Sequence, residues 1–352
     1  MTFQERFAFS LHQRGVIKKK ARIFVGCSGG PDSVALFHLL RSLQPSWGFR
    51  LGLLHFHHGL RKTAADRDAC FVSALGRRFK VPVVIGKSSI RARARANRES
   101  IEEAARYERY RFFLQAARKK RVRIIALGHQ LEDQAETVLM RILKGTGLRG
   151  LAGIQYAMKM QRVLFVRPLL DFSREHILAY LRKNRIPFRT DRTNFSDRFL
   201  RNRLRQKVLP YLEKTVNPRV QEALARLPQI VGDELRVIEA LEAQAIRKVI
   251  LKKKRGAVIL AKEFFEHLDP PIQFRVLNHA LKILDSRSGL DYEAYRRLQG
   301  LFSKKRNRCS LPRNLDIVWD SRQMRIFKKT LGEGFLPFKL RKLRAHARLP
   351  AL

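Results

Sequence analysis

Six consecutive residues, Ser28, Gly29, Gly30, Pro31, Asp32 and Ser33, combine the groups that a bound phosphate requires. Two glycines let backbone N–H groups approach an anion with no Cβ in the way, two hydroxyls can donate to it, and a carboxylate can hold magnesium (Mg2+) against it. Such groups act only if a rigid frame presents them, and the flanking residues predict one. Ile23, Phe24 and Val25 form a short run of strand formers that stops at Gly26. Pro31 suits a first helical position, where its missing N–H would be unpaired anyway, and Val34, Leu36, Leu39, Leu40 and Leu43 follow at helical spacing. The prediction is strand, glycine turn, helix, with the positive end of the helix dipole at the turn. No lysine follows the glycines, so this is not the G-x-x-x-x-G-K-[ST] loop. A glycine turn can also join a buried strand to a helix without any ligand; six suitable residues in this context favour the phosphate site.

Further candidates stand at the ends of other predicted strands. The apolar run from Phe49 ends in His55, Phe56, His57, His58, Gly59, Leu60 and Arg61. His57 and His58 are adjacent, with no cysteine or carboxylate at ligand spacing, so a loop beside a ligand crevice is favoured over a metal site. Residues 64 to 80 are predicted helical and Val81 to Ile85 a strand. In the basic stretch with Lys87, Arg91, Arg93, Arg95 and Arg98, a solvated face and a phosphate-binding arm stay equally open. Ser100 and Glu103 form a capping box that opens a helix carrying Arg106 and Arg109 one turn apart. Val122 to Leu127 is a strand ending in Gly128 and His129, and Asp133 and Glu136 follow at i, i+3 in the first turn of a helix. Those two carboxylates suit magnesium, an amine, or simple complementation of the helix dipole. Strands alternating with helices predict an α/β fold, a doubly wound, mostly parallel sheet with ligands at the strand carboxyl ends.

Composition narrows the class. The chain has 352 residues, 45% of them hydrophobic, enough for two domains and a large core. It carries 74 Lys and Arg against 30 Asp and Glu, a formal charge of +44, for which a polyanionic partner such as nucleic acid is the simplest cause. Cys27, Cys70 and Cys309 are too widely spaced for a disulfide framework or a zinc site. Thr2 and Glu5 stand at capping-box spacing, so the first residues are expected to form a helix and not a secretory signal. No stretch approaches the apolar length of a membrane span, and a cytoplasmic protein is expected.

Several stretches together resemble one family. The loop Ser28 to Ser33 is similar to the S-G-G-x-D-S loop of ATP pyrophosphatases. His55 to Arg61 with Asp66 and Asp68, Glu102 to Tyr107 with Arg109 and Tyr110, and Gly128 to Thr137 continuing through Lys144 to Leu148 and Gly150 to Leu151 extend the likeness. So do Arg167 to Leu170 before Ser173 and Arg174, then Asp191, Thr193, Asn194, Arg201 to Arg205, and Leu209 with Pro210. In order and spacing these resemble the tRNA(Ile)-lysidine synthetases over about residues 20 to 215. One departure is Glu132 before Asp133, where the family often has two aspartates.

The resemblance implies an ATP-dependent ligase that joins L-lysine to C2 of the wobble cytidine of tRNA(Ile) with a CAU anticodon, through an adenylated cytidine, releasing AMP and diphosphate. It implies nucleotide contacts from Ser28, Gly29, Gly30, Pro31, Asp32 and Ser33, and catalytic roles for Asp32, Asp133, Glu136, Arg106 and Arg109. Asp32 and Asp133 would hold magnesium, and His55, His58, Arg61, Arg201 and Arg205 would contact substrate. Other ATP pyrophosphatases of the tRNA thiolase type, or a nonenzymatic RNA-binding protein on this fold, are the alternatives. A homodimer stays open.

The catalytic domain is expected over 1–215, a helical tRNA-contacting domain over 216–305, and a short β hairpin with a basic tail over 306–352. Residues 219 to 255 are predicted helical, interrupted by Pro228 and ending in Lys252, Lys253, Lys254 and Arg255, with further helices over 270 to 285 and 291 to 302. Alternation in Leu315, Ile317 and Trp319, then Met324 and Ile326, predicts a hairpin about Asp320 and Ser321. The tail with Lys339, Arg341, Lys342, Arg344 and Arg348 is expected to be a disordered arm or a remnant helix. The charge makes one expectation measurable. Affinity for tRNA falls about tenfold or more per doubling of salt, because neutralising several phosphates releases their counterions; a flat response in a filter-binding series would refute it.

Overall fold

The computed structural model describes residues 1–57, 62–189, 200–286, 288–302 and 307–329, with backbone alone for 62–65. The expectations for His58, Arg61, Asp191, Thr193, Asn194 and the tail beyond 329 lie outside the described residues. The chain forms two compact units, residues 1–233 and 234–352.

The first unit is built on strands β1 (Arg22–Gly26), β2 (Arg50–His57), β3 (Val83–Lys87), β4 (Ile124–Leu127), β5 (Ala157–Met160) and β6 (Val163–Val166). They lie in the order β3-β2-β1-β4-β6-β5. All neighbours are parallel except β5, which pairs antiparallel with β6 at the edge. The expected doubly wound α/β fold is therefore present. Strands β1 and β2 read as continuous apolar runs because helices cover both faces. One core layer packs Val25, Leu36, Leu40 and Leu53 with Phe7, Leu11 and Ile177; the other packs Phe24, Leu54 and Phe56 with Tyr110, Phe113 and Phe165. From β1 the order runs one way to β2 and β3 and the other way to β4. This reversal leaves a crevice at the carboxyl ends of β1 and β4, where the glycine turn and the Gly128–His129 loop begin.

Local signals hold at the helix starts. Thr2 and Ser100 cap the helices Phe3–Arg14 and Ile101–Lys120 through the expected capping boxes. The helix predicted over 64 to 80 spans Lys62–Arg78, and the strand predicted at Val81 is β3, starting at Val83. In the basic stretch Arg93 bonds Glu99 at 3.2 Å and lies over the Tyr107 ring at 3.5 Å, so this cation is engaged within the protein. Among the described residues no helix is long and apolar enough to cross a membrane.

The second unit contains a five-stranded antiparallel sheet that the sequence did not reveal. Its strands are β7 (Ile250–Lys254), β8 (Ala257–Ala261), β9 (Arg308–Leu311), β10 (Leu315–Trp319) and β11 (Gln323–Lys328), in the order β7-β8-β11-β10-β9. The predicted hairpin is β10–β11, its turn fixed by Asp320 Oδ1 accepting from the backbone N–H groups of Arg322 and Gln323 at 2.7 Å. It is not isolated, because β8 pairs with β11. The helix Val220–Val249 runs through Pro228 without interruption and stops before Lys252, so Lys252 to Arg255 lie in β7 and its turn and not at a helix end. Val258, Leu260, Ile317 and Ile326 pack against Val276, Leu277, Leu281 and Tyr295 from the helices Pro270–Leu284 and Tyr292–Phe302.

Glycines in the first unit give a stability contrast. A Cβ at Gly52 would overlap the Phe24 ring, whereas one at Gly232 meets nothing within 4 Å. Gly52→Ala therefore lowers stability by about 1–3 kcal/mol through overpacking. Gly232→Ala, inside a helix, raises it by about 0.5–1 kcal/mol. Urea unfolding of both variants checks the opposite signs.

Candidate active site

The glycine turn is held by its own hydroxyls. Ser33 Oγ accepts from the Ser28 N–H at 3.1 Å and donates to the Gly30 carbonyl at 3.0 Å, while Gly30 N–H donates to Ser28 Oγ at 3.3 Å. Gly29 takes φ +91°, a left-handed conformation that favours glycine, and its carbonyl accepts from the Arg189 N–H at 2.9 Å. Gly30 then caps the helix Pro31–Ser42 with no side-chain hydrogen bond, and Pro31 occupies the first turn as predicted. The open end of this helix faces the crevice with its N–H groups uncapped by any side chain.

Strand β4 closes on this turn because Gly128 lacks a side chain. A Cβ there would stand 3.0 Å from the Asp32 carbonyl carbon and the Ser33 nitrogen. Beside the contact lies a cleft of about 190 Å³ lined by Ser28, Gly30, Asp32 and Ser33, with Arg109 and His129 entering it. Leu54, Phe56, Phe113 and Leu127 form its apolar wall, suited to a planar ring. Arg106 does not line the cleft: it is exposed, with its guanidinium 5.4 Å from the Tyr110 ring centroid. His55, expected to contact substrate, does not line it either. It is buried and its Nδ1 bonds the Cys27 carbonyl at 2.9 Å, so it supports the start of the turn from behind. Burial holds the His55 pKa down, keeping the ring neutral.

A network of charges flanks the cleft. Glu136 is 1% exposed and lies between two guanidiniums: Arg201 Nε donates to Oε2 at 2.7 Å and Arg205 Nε to Oε1 at 2.5 Å. Asp133 accepts from Arg201 at 2.9 Å and Arg205 at 3.3 Å, and its other oxygen accepts from the Gln130 N–H at 3.1 Å. The i, i+4 spacing puts both arginines on one helical face, and Arg205 lies in a turn of π-helix, Leu204–Val208, a geometry frequent at functional sites. Glu132 serves elsewhere. Both its oxygens accept from the Arg174 N–H at 3.0 Å, at the start of the helix Arg174–Lys183.

Asp32 is compensated least. Arg174 approaches one oxygen at 3.8 Å, and the other, Oδ1, is buried with no hydrogen-bond partner. Burial raises its pKa to about 6, Arg174 opposes the rise, and Asp133 adds to it. His129 is driven well below its ordinary pKa by burial and then by Arg167, Arg109, Arg201 and Arg106, so it is neutral. Burial likewise lowers the Arg109 pKa. The structure thus brings together Ser28, Gly30, Asp32, Ser33 and Arg109 on the cleft, with Asp133, Glu136, Arg201 and Arg205 in one ion-pair network beside it. Sequence reasoning assigned no role to His129 or Arg174. His129 follows β4 and Arg174 opens a helix near the crevice, but the contacts of Arg174 with Glu132 and Asp32 span more than 40 residues.

Known proteins share this arrangement of sequence. The tRNA(Ile)-lysidine synthase of Clostridioides difficile is 33% identical over 309 residues, 87% of this chain and 66% of that protein. The enzyme of the same name from Symbiobacterium thermophilum is 39% identical over 234 residues, 66% of this chain and 48% of its own length. That from Geobacter sulfurreducens is 34% identical over 273 residues, 77% of this chain and 57% of its own. The chain thus spans about half to two thirds of these relatives. Among solved structures, the U34-tRNA thiolase NcsA from Methanococcus maripaludis shares the fold, with a TM-score of 0.53 at 16% identity over 64% of this chain and 78% of that one. A family model described as the PP-loop domain matches residues 2–212. Since that match takes in well over half of the chain and reaches every side chain of the cleft and its ion-pair network, the chain belongs to the PP-loop domain family.

Proposed function

We propose that this protein uses ATP to join L-lysine to C2 of the wobble cytidine of tRNA(Ile) with a CAU anticodon. Adenylate passes to the cytosine O2 with release of diphosphate, and the lysine amine then displaces AMP to leave lysidine. The observation that carries the reading is the uncapped helix start at Gly30 beside the partnerless Oδ1 of Asp32. PP-loop membership supports ATP as the nucleotide, and the names of the relatives support the tRNA and the product. The formal charge of +44 agrees with an RNA substrate.

In this reading Ser28, Gly29, Gly30 and Ser33 hold the departing diphosphate through N–H and hydroxyl groups. The wall of Leu54, Phe56, Phe113 and Leu127 takes the purine. Arg109 faces the phosphate oxygens, and its burial strengthens that attraction. Arg106, outside the cleft, is left for the RNA backbone, and His58 and Arg61 keep the substrate contacts that the resemblance implies. Magnesium fits in the way it commonly meets nucleotides, through one or two carboxylates with phosphate and water completing the shell. Asp32 has a buried oxygen without a hydrogen-bond partner and Asp133 is near enough to raise its pKa, although among the described residues no three His, Cys, Asp or Glu groups form a metal cluster. The ion would supply positive charge to the phosphate oxygens. For the second stage the lysine amine must lose a proton. A nearby base such as Asp133 accepts it. Arg201 and Arg205 orient Asp133 and Glu136.

Incubation with ATP, labelled lysine and total tRNA tests the activity: label enters a CAU-anticodon species and AMP forms in step, and no nucleotide consumption under magnesium refutes the reading. Asp32→Asn lowers AMP release by about a hundredfold or more while tRNA affinity stays within about twofold. The same variant is at least as stable as the parent at pH 7. A folded carboxyl with pKa about 6 binds a proton where the unfolded one does not, so the parent loses stability as pH rises from about 4 to about 6, and asparagine does not. Glu136→Gln behaves differently, because it strips two guanidiniums of their buried counterion. It costs about 3 kcal/mol of stability, read by denaturant unfolding, as well as activity.

A further inference from the structure

The helix that begins at the glycine turn ends at a second cavity, about 280 Å³ in volume, lined by His38, Arg41 and Ser42 from its last turns. Arg78 joins from the end of the helix Lys62–Arg78, and Asn184 and Arg185 from the end of the helix Arg174–Lys183. The helix has 12 residues, so this cavity stands about 18 Å from the phosphate turn. Among the described residues no carboxylate lines it. Arginines at helix carboxyl ends can simply complement the helix dipoles, but the charges do not close on that account. Three carboxyl ends contribute about −1.5 in all against three guanidiniums, leaving about +1.5. The hydrogen bonds do not close either: Arg41 Nε and His38 Nε2 are buried with no partner. A partnerless buried donor such as the Arg41 Nε–H costs about 1–3 kcal/mol, and with His38 Nε2, donor or acceptor by tautomer, on the same lining it points to a polar group that the described residues do not provide.

We infer that this cavity is a second, noncatalytic binding site for a phosphate ester. A phosphate monoester carries about −1.5 to −2 at neutral pH, which matches the residual charge, and pairs of its terminal oxygens accept the two parallel N–H bonds of a guanidinium. The volume exceeds what one phosphate group fills, and Tyr180, Ile186 and Pro187 supply an apolar wall for the attached sugar. His38 is neutral at pH 7, because burial and then Arg78 push its pKa down to about 4, so it adds a neutral hydrogen-bonding ring without further charge. The ester is either a nucleotide unit of a bound RNA or a free sugar phosphate.

The His38 imidazole resonance, assigned through its loss in His38→Gln, reports on this cavity and not on the phosphate turn. In the full chain, ribose 5-phosphate shifts that resonance saturably with low-millimolar or tighter affinity, and Arg41→Gln/Arg78→Gln weakens the response about tenfold or more. If a single-stranded RNA hexamer shifts it as well, the site belongs to RNA; if ribose 5-phosphate alone does, it belongs to a free ester. No saturable shift from either probe, or an unchanged affinity in the double variant, overturns the proposal. Should the double variant not fold, Arg185→Gln, at an exposed position, carries the same comparison.

Discussion

A carboxylate removed from water stays ionised only where positive charge and hydrogen-bond donors replace the water, and Glu136 meets that demand with Arg201 and Arg205 together. Much of the site follows from this contact. It fastens the segment beginning at Leu200 to the helix Leu131–Leu143, on the other side of the residues between 190 and 199 in sequence. It also leaves Asp133 sharing the same two guanidiniums, so two acids and two bases cancel as a block. Asp32 lies next to that neutral block, with Arg174 at a long 3.8 Å. Its raised pKa comes first from its own burial, with Arg174 opposing the rise and Asp133 adding to it.

The frame of the site was legible because it is written in local signals. The apolar run Ile23 to Val25, the glycines at 29 and 30, Pro31 and the spacing of Val34 to Leu43 each act within a few residues, and each was realised. The same holds for the capping boxes at Thr2 and Ser100. What escaped depends on contacts between distant residues. Glu132 and Asp133 look alike as first-turn acids, yet one caps a helix 42 positions away and the other joins the ion-pair network. His55 stood in a histidine-rich strand end and pointed to substrate; burial and the Cys27 carbonyl turned it into a support. Lys252 to Lys254 read as a helix end because a run of lysines has no period of its own. Their pairing with β8, itself paired to β11, is decided some 70 residues later.

The helix Pro31–Ser42 has opposite electrostatic problems at its two ends. At its start, aligned N–H groups attract an anion, and the fold leaves them without a side-chain cap and brings Gly128 to the backbone of Asp32 and Ser33. At its finish the dipole repels anions, yet Arg41, Arg78 and Arg185 more than reverse it. A single rigid element of about 18 Å therefore separates two regions that attract phosphate for different reasons, the first through backbone geometry and the second through side-chain charge. The first is fixed by glycines, and a Cβ at 128 would crowd the backbone of Asp32 and Ser33; the second depends on long side chains that adapt.

Folded proteins leave few buried polar atoms unpaired, and where such atoms fall carries information. Among the described residues they include Asp32 Oδ1 and His129 Nδ1 on the first cleft, His55 Nε2 behind its turn, and His38 Nε2 and Arg41 Nε on the second cavity. The others are Tyr156 Oη, Arg167 Nε, Ser288 Oγ and Asp316 Oδ1, the last of them on β10. For the atoms at the two ends of the helix Pro31–Ser42, the lack of a partner agrees with what each end attracts, since a group kept ready for a ligand has to go without a partner inside the protein. That deficit lowers stability in the free protein and is returned on binding, so ligands at both ends should oppose unfolding by more than their contact area alone would give.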